Sequence, residues 1–117
     1  MKIGRITFGE AHSEDALDAM INSHRQAVPY AFSAVDFTII VKTSPTSILN
    51  LTMYPNDSAA NSSIPASEKW LESVGHLISD TFFYEDEVVT HQKGDGEDLL
   101  NANAEKIELT VHIYPST

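Results

Sequence analysis

AVDFTIIVKTSPTSILNLTMYPN, residues 34–56, is the stretch that decides the fold. Apolar residues occupy every second position in both of its halves: Val35, Phe37, Ile39 and Val41, then Leu49, Leu51 and Met53. An alternation with a period of two predicts a β-strand with one apolar face. The residues SPTS at 44–47, between the two halves, favour a turn. The stretch is therefore predicted to form a β-hairpin.

The same pattern predicts the register of this hairpin. One alignment places all the apolar residues on one face: Val41 opposite Leu49, Ile39 opposite Leu51, and Phe37 opposite Met53. A shift of one residue would oppose apolar side chains to polar ones, because neighbouring residues of a strand point to opposite faces. The alignment leaves an odd number of residues between the strands, so we expect a loop of about three or five residues rather than four.

Flanking segments supply further elements that cover the hairpin. Residues 2–9 read as a first strand. Ser13 is a predicted N-cap of a helix that we expect to end near Ala27 or Val28, since Pro29 follows. Residues 55–63 are rich in loop-forming residues. A second helix is predicted from Ser62 or Ser63 to about residue 79, and the apolar helix-spaced positions include Trp70.

The last third of the chain reads as strand, loop and strand. Residues 81–91 predict a fourth strand, and the acidic residues 85–87 favour an exposed edge or a bulge. Residues 92–104 predict a loop, with a possible helical turn at residues 99–100, and residues 106–114 alternate cleanly as a fifth strand. The order β-α-β-β-α-β plus one strand predicts a ferredoxin-like α+β fold, with an antiparallel sheet and both helices on one face.

Composition restricts the class of protein. A chain of 117 residues is expected to form one domain, 1–117, with 92–117 as a dimer-related tail. The net charge of −10 argues against nucleic acid and anionic membranes as partners, since both need a basic surface. The chain has no Cys, which excludes disulfides and thiolate chemistry. No apolar leader opens the sequence, so a cytoplasmic location is expected.

One face of a ferredoxin-like sheet is left without helices, and this predicts a partner. The second face of the hairpin mixes polar and apolar residues: Asp36, Thr38, Ile40, Lys42, Ile48, Asn50, Thr52 and Tyr54. We expect the helices to cover the apolar face, and a second copy of the chain to cover this mixed face across a two-fold axis. The same mixture of side chains is also typical of a small-molecule pocket, so both interpretations stay open.

The element order, the length and the late extra strand resemble the dimeric α+β barrel superfamily, which includes the antibiotic-biosynthesis-monooxygenase-like proteins. The resemblance covers roughly residues 1–91 and rests on element order. It implies a homodimer in which two sheets form a barrel, with a pocket between sheet and helices in each subunit. Some members are cofactor-independent monooxygenases, others degrade haem, and many have no known activity, so the fold does not fix the function.

The resemblance directs attention to residues expected at the pocket. His24, on the apolar stripe of the first helix, is the candidate catalytic base, because a neutral imidazole accepts a proton near pH 7. The candidate substrate-binding residues are Thr38, Asn50, Thr52, Tyr54, Trp70 and His76. In sequence terms, an ordinary core or boundary position is the more common explanation of His24 and Trp70.

Neither a cofactor nor a metal is predicted. Haem-degrading members of the superfamily use an Asn on the first strand with a Trp and a His on the second helix. Here Trp70 and His76 are six residues apart, on different helix faces, and residues 3–8 contain no Asn. The five His have no close metal-ligand spacing.

Two functional hypotheses follow. The first is a homodimer that binds a small apolar or aromatic molecule between sheet and helices, with a chemistry like that of the cofactor-independent monooxygenases. The alternative is a non-catalytic dimeric stress or interaction module with no bound cofactor. The sequence leaves open whether the protein is an enzyme.

Overall fold

The structure, a computed structural model, describes residues 1–100 of the chain. Its elements in order are β1 (Ile3–Ala11), α1 (Glu14–Ala31), β2 (Phe37–Ser44), β3 (Ser47–Tyr54), α2 (Asp57–Ser62), α3 (Ile64–Val74), a 3₁₀ turn (Gly75–Leu77) and β4 (Ile78–Glu87). The strands form one antiparallel sheet in the order β2-β3-β1-β4. The predicted ferredoxin-like α+β architecture is confirmed. The predicted fifth strand, 106–114, lies outside the described residues.

The hairpin register is confirmed pair by pair. Phe37 lies opposite Met53, Ile39 opposite Leu51, and Val41 opposite Leu49. The loop differs from the prediction in detail, because the strands continue past Lys42 and Ile48 through an irregularity to a final pair, Ser44 with Ser47. An odd number of residues, 43–47, separates Lys42 from Ile48, the last regular pair, as the alternation requires. Thr43 forms a bulge in this segment, before the tight turn.

The prediction of which sheet face meets the helices is wrong. Ile48 of the mixed face is buried in a core cluster with Leu17 and Met20 of α1, and Ile40 packs against that cluster. The alternation determines which residues share a face, but not which face the helices cover. The crossover from β1 through α1 to β2 decides that, because such connections between parallel strands are right-handed.

The apolar face of the hairpin is therefore the uncovered one. Cross-strand pairing extends it over all four strands, and we call this surface the open sheet face: Ile6, Phe8, Ile39, Val41, Leu49, Leu51, Phe82 and Tyr84. Ile39 and Val41 are 51% and 54% exposed. Phe8 and Phe82 stack with ring centroids 5.2 Å apart. Exposed apolar side chains thus form one continuous surface within residues 1–100.

Helix α1 begins as predicted and ends later than predicted. The backbone N–H of Ala16 donates to Ser13 Oγ at 3.0 Å, so Ser13 is the N-cap, and Glu14 and Asp15 occupy the first turn. The helix continues through Pro29 to Ala31. Pro29 lies in the last turn, where the missing N–H removes a single helical bond, and the N–H of Phe32 still reaches the carbonyl of Val28 at 3.2 Å.

The second helical region is divided differently from the prediction. Part of the predicted loop forms α2, whose N-cap Asn56 accepts a hydrogen bond from the N–H of Ala59 at 2.8 Å. Helix α3 has Pro65 in its first turn and stops at Val74, earlier than the predicted end near residue 79. Gly75 follows the helix instead of lying inside it, and a Cβ there would meet no atom within 4 Å.

Strand β4 is an edge strand, as the acidic residues 85–87 suggested, and it begins earlier than predicted, at Ile78. Glu85 lies opposite Arg5 of β1, and Arg5 Nε donates to Glu85 Oε1 at 2.7 Å. One of the three acidic residues is therefore neutralised on the covered side of the sheet. The edge position leaves the others in contact with water.

Residues 1–87 form one compact unit, and the described residues after it, 88–100, belong to a separate one. Within 88–100, an isolated antiparallel bridge joins Gln92 to Asp98, and Lys93 forms an ion pair with Glu97 at 3.3 Å. Residues 99–100 do not form the predicted helical turn. The single-domain organisation stays a prediction. No helix in the described part of the chain is both long and apolar enough to cross a membrane.

Candidate functional site

A cavity lies between helices α1 and α3 and the covered face of the sheet. The cavity has a volume of about 50 Å³ and opens to solvent at its mouth. Its walls are largely apolar, with Met20 and Ile21 from α1, Ile48 from β3 and Leu71 from α3. The polar or aromatic lining residues are Thr7, His24, Asn50, Trp70 and Thr81. A few polar groups in an apolar wall are typical of small-molecule sites.

His24 is the titratable residue of this cavity. Its ring stacks on Phe32 at 5.4 Å between centroids and meets Trp70 edge-on at 5.4 Å. Burial lowers the pKa of His24, because the charged imidazolium loses hydration there. No hydrogen bond to either imidazole nitrogen is found within residues 1–100. A neutral imidazole with a free lone pair is therefore available to a bound molecule.

Trp70 is held in place by both helices. Its indole N–H donates to Ser23 Oγ of α1 at 3.1 Å, and its ring also meets Phe32 edge-on at 6.1 Å. These contacts fix the ring as a rigid side wall of the cavity. His24 and Trp70 therefore line the same cavity and are in contact there.

Asn50 takes part in a closed ring of hydrogen bonds with two threonines. Its Nδ2 donates to Thr38 Oγ1 at 2.7 Å, the Thr38 and Thr52 hydroxyls are 3.1 Å apart, and Thr52 Oγ1 donates to Asn50 Oδ1 at 3.2 Å. Asn50 Nδ2 also donates to the carbonyl of Ile39 at 2.9 Å. The ring satisfies these side chains internally and joins β2 to β3 under the cavity.

Tyr54 and His76 lie apart from the cavity lining. Tyr54 is fully buried at the end of β3, and its hydroxyl accepts a hydrogen bond from Arg5 Nη1 at 2.9 Å. His76 is exposed in the 3₁₀ turn after α3. Thr38 lines a neighbouring groove. Thr52 donates a hydrogen bond to Asn50 Oδ1. The structure therefore brings together His24, Asn50 and Trp70 from the predicted set.

Arg5 is the residue that sequence reasoning missed. Its guanidinium is buried, pairs with Glu85, and lies over the rings of Tyr54 and Phe83 at 4.9 and 5.6 Å. Nη1 is also 3.4 Å from Ser63 Oγ at the junction of α2 and α3. The alternation of Ile3, Arg5 and Thr7 places Arg5 on the covered face, but its partner is 80 residues away. One sequence carries no signal for that pairing.

The covered face and its helices offer no metal centre in the part of the chain that is described. No group of three or more His, Cys, Asp or Glu side chains there is arranged to hold a metal ion. The polar side-chain groups that line this cavity include the His24 imidazole, the Asn50 amide and the hydroxyls of Thr7 and Thr81.

Comparison with solved structures places this architecture in a recognised class. A candidate antibiotic biosynthesis monooxygenase from Chloroflexus aurantiacus superimposes with a TM-score of 0.66 at 14% identity, covering 80% of this chain and 98% of that one. SnoaB, a cofactor-independent oxygenase from Streptomyces nogalater, gives 0.65 at 6% identity, covering 77% and 95%. A dimeric ferredoxin-like protein from an uncultured marine organism gives 0.64 at 13% identity, covering 79% and 91%.

These likenesses concern the fold. No protein-family model matches the sequence, and no curated protein matches it. The chain has the ferredoxin-like fold of the antibiotic-biosynthesis-monooxygenase-like proteins, and the resemblance in element order is confirmed.

Proposed function

We propose that this protein is a homodimer that binds a small apolar or aromatic molecule in the cavity between the sheet and helices α1 and α3. The observation that carries the proposal is His24, a half-buried imidazole whose nitrogens make no hydrogen bond within residues 1–100, placed in a largely apolar cavity beside Trp70. A polar atom in such a place gains from a ligand that donates a hydrogen bond to it.

Self-association is proposed through the open sheet face. Its aliphatic and aromatic side chains form an apolar surface that spans four strands and is exposed in the single chain. Continuous apolar surfaces of this kind are typical of protein–protein interfaces. A two-fold dimer would bury the same surface of each subunit. Native mass spectrometry of the purified protein reports the subunit count, and a monomer would contradict this part of the proposal.

The chemistry we propose for the site is proton removal. With its pKa lowered by burial, His24 stays neutral near pH 7 and accepts a proton from an acidic O–H or C–H of the bound molecule. This suits a reaction like that of a cofactor-independent oxygenase. SnoaB, which shares the fold, is such an oxygenase.

The experiment is a binding titration with 2-naphthol, an aromatic probe with one acidic O–H. Calorimetry compares the unsubstituted protein with His24→Phe, which keeps an aromatic ring but removes the acceptor. We expect the affinity to fall about tenfold, since that is the effect of one lost hydrogen bond in an apolar site. His76→Gln is the matched control, because His76 is exposed outside the cavity. Equal affinity for all three proteins would overturn the role of His24.

A non-catalytic dimeric module is the second candidate. The observation in its favour is the closed ring of Asn50, Thr38 and Thr52, whose polar groups are satisfied by one another and are not free to act on a substrate. Oxygen uptake measured with phenolic aromatic probes separates the two candidates. Uptake that depends on His24 supports the enzyme, whereas the absence of both binding and uptake supports the module.

A further inference from the structure

We infer that the molecule bound in the cavity carries a carboxylate, which Arg25 binds in the groove between α1 and β2. This inference rests on the proposed function, because it assigns the substrate class of the same site. The feature that points to it is a second depression, lined by Ile21, His24, Arg25, Val28, Thr38, Ile40 and Lys42.

The groove and the cavity form one continuous site. Ile21, His24 and Ile40 line both of them, so these side chains are the boundary over which a ligand extends from one to the other. The cavity side is apolar and enclosed by the two helices, whereas the groove side opens to solvent along the edge strand β2. A molecule with an apolar body and a charged end matches this change in polarity.

The groove is lined by two cations, although the chain as a whole is acidic. The protein has a net charge of −10 and only 7 Lys and Arg residues. Two of these cations line the groove, and no acidic residue is among its lining residues. A surface with an excess of acidic groups repels anions, so local cations are what allows an anion to bind at one place.

Arg25, not Lys42, is the cation available to a ligand. Lys42 Nζ lies 3.7 Å from Glu14 Oε2 and 3.8 Å from Asp18 Oδ1, so its charge is already compensated by α1. Arg25 is exposed, and no ion pair involves it within residues 1–100. A guanidinium presents two parallel N–H groups to the two oxygens of a carboxylate, a geometry that an ammonium group lacks.

The test uses two probes that differ only in charge, 2-naphthoate and 2-naphthamide. Their affinities are measured by calorimetry at low salt for the unsubstituted protein and for Arg25→Gln, an exchange that preserves helix propensity at an exposed position. We expect the unsubstituted protein to bind naphthoate about tenfold more tightly than naphthamide. Arg25→Gln should lose this preference and keep its affinity for naphthamide.

Two further variants complete the test. Lys69→Gln removes an exposed cation from α3, outside both depressions, and should leave the preference unchanged. Lys42→Gln should reduce the preference by less than Arg25→Gln, because Lys42 already has acidic partners. Equal binding of both probes by the unsubstituted protein would overturn the carboxylate inference and leave the cavity proposal standing. Failure of both probes to bind would overturn the two together.

Discussion

The two faces of the sheet differ in a way opposite to first expectation. The covered face carries threonine, asparagine, arginine and glycine among its apolar residues, yet it packs against the helices. The open sheet face is almost purely aliphatic and aromatic, yet in the single chain it is exposed. A mixed face is suited to a core that also contains a cavity, a hydrogen-bonded ring and a buried ion pair. A purely apolar face is suited to burial against another apolar surface.

The strongest test of this contrast is a charge placed on the open sheet face. Leu49→Lys is expected to convert the proposed dimer to a monomer, because an unpaired ammonium at the centre of an apolar interface is costly. Leu49 is 41% exposed in the single chain, so the variant should still fold. Sedimentation and native mass spectrometry measure the subunit count.

A matched control exists for Leu49→Lys. Ile64 of α3 has nearly the same exposure, 42%, but is not on the sheet. Ile64→Lys should therefore leave the dimer intact. Dissociation by both variants, or by neither, would show that the open sheet face is not the interface.

Two adjacent residues of β3 allow the faces to be compared directly. Ile48 is 5% exposed on the covered face, and its neighbour Leu49 points the other way. Ile48→Ala should lower the free energy of unfolding by about 2–4 kcal/mol through the cavity it leaves. Leu49→Ala should cost about 1 kcal/mol or less at protein concentrations where the monomer prevails.

Chemical denaturation over a range of protein concentrations measures both effects. The loss of unfolding free energy caused by Leu49→Ala should grow with protein concentration, because dimerisation stabilises the folded chain by mass action. The cost of Ile48→Ala should change little. A concentration-independent and large effect at Leu49 would mean that the open sheet face is covered within the single chain.

Arg5 tests the buried polar part of the covered face. Arg5→Met removes the guanidinium that links Glu85, Tyr54 and the helix junction at Ser63. We expect a loss of about 2–4 kcal/mol in unfolding free energy, because polar groups of these partners are left without their donor.

Glu85→Gln is the comparison for Arg5→Met. Glu85→Gln should lower the free energy of unfolding by less than Arg5→Met does, since Glu85 lies on the edge strand and its carboxylate is partly exposed to water. Equal costs for the two variants would mean that the ion pair alone carries the effect, and that the contacts of Arg5 to Tyr54 and Ser63 contribute nothing.

The smallest expected effect is the pH dependence caused by His24. Its folded-state pKa lies below its ordinary value through burial, so the unfolded chain binds the proton more readily. Stability is therefore full above about pH 6.5 and falls as the pH drops through the window between the unfolded and folded pKa values.

NMR titration of the His24 ring measures this pKa, and thermal unfolding between pH 5 and 8 measures its effect on stability. His24→Phe should remove the part of the pH dependence that His24 causes, whereas His76→Gln, at an exposed residue, should keep it. A titration of His24 above its ordinary value would contradict a desolvated, unpaired imidazole and with it the neutral base.

The sequence by itself determined the local features of this protein. The alternation of residues 35–41 and 49–53 set the hairpin register, because one alignment keeps the apolar side chains together. Ser13 set the start of α1 through its capping hydroxyl. His24 and Trp70 were recognisable as site candidates because helical spacing placed them on the inward stripes of two helices.

Only the tertiary structure decided which face of the sheet the helices cover, since periodicity groups side chains by face but carries no handedness. It also decided that Arg5 pairs with Glu85 and that Arg25 lines the groove beside the cavity. Each of these depends on contacts between residues far apart in the chain.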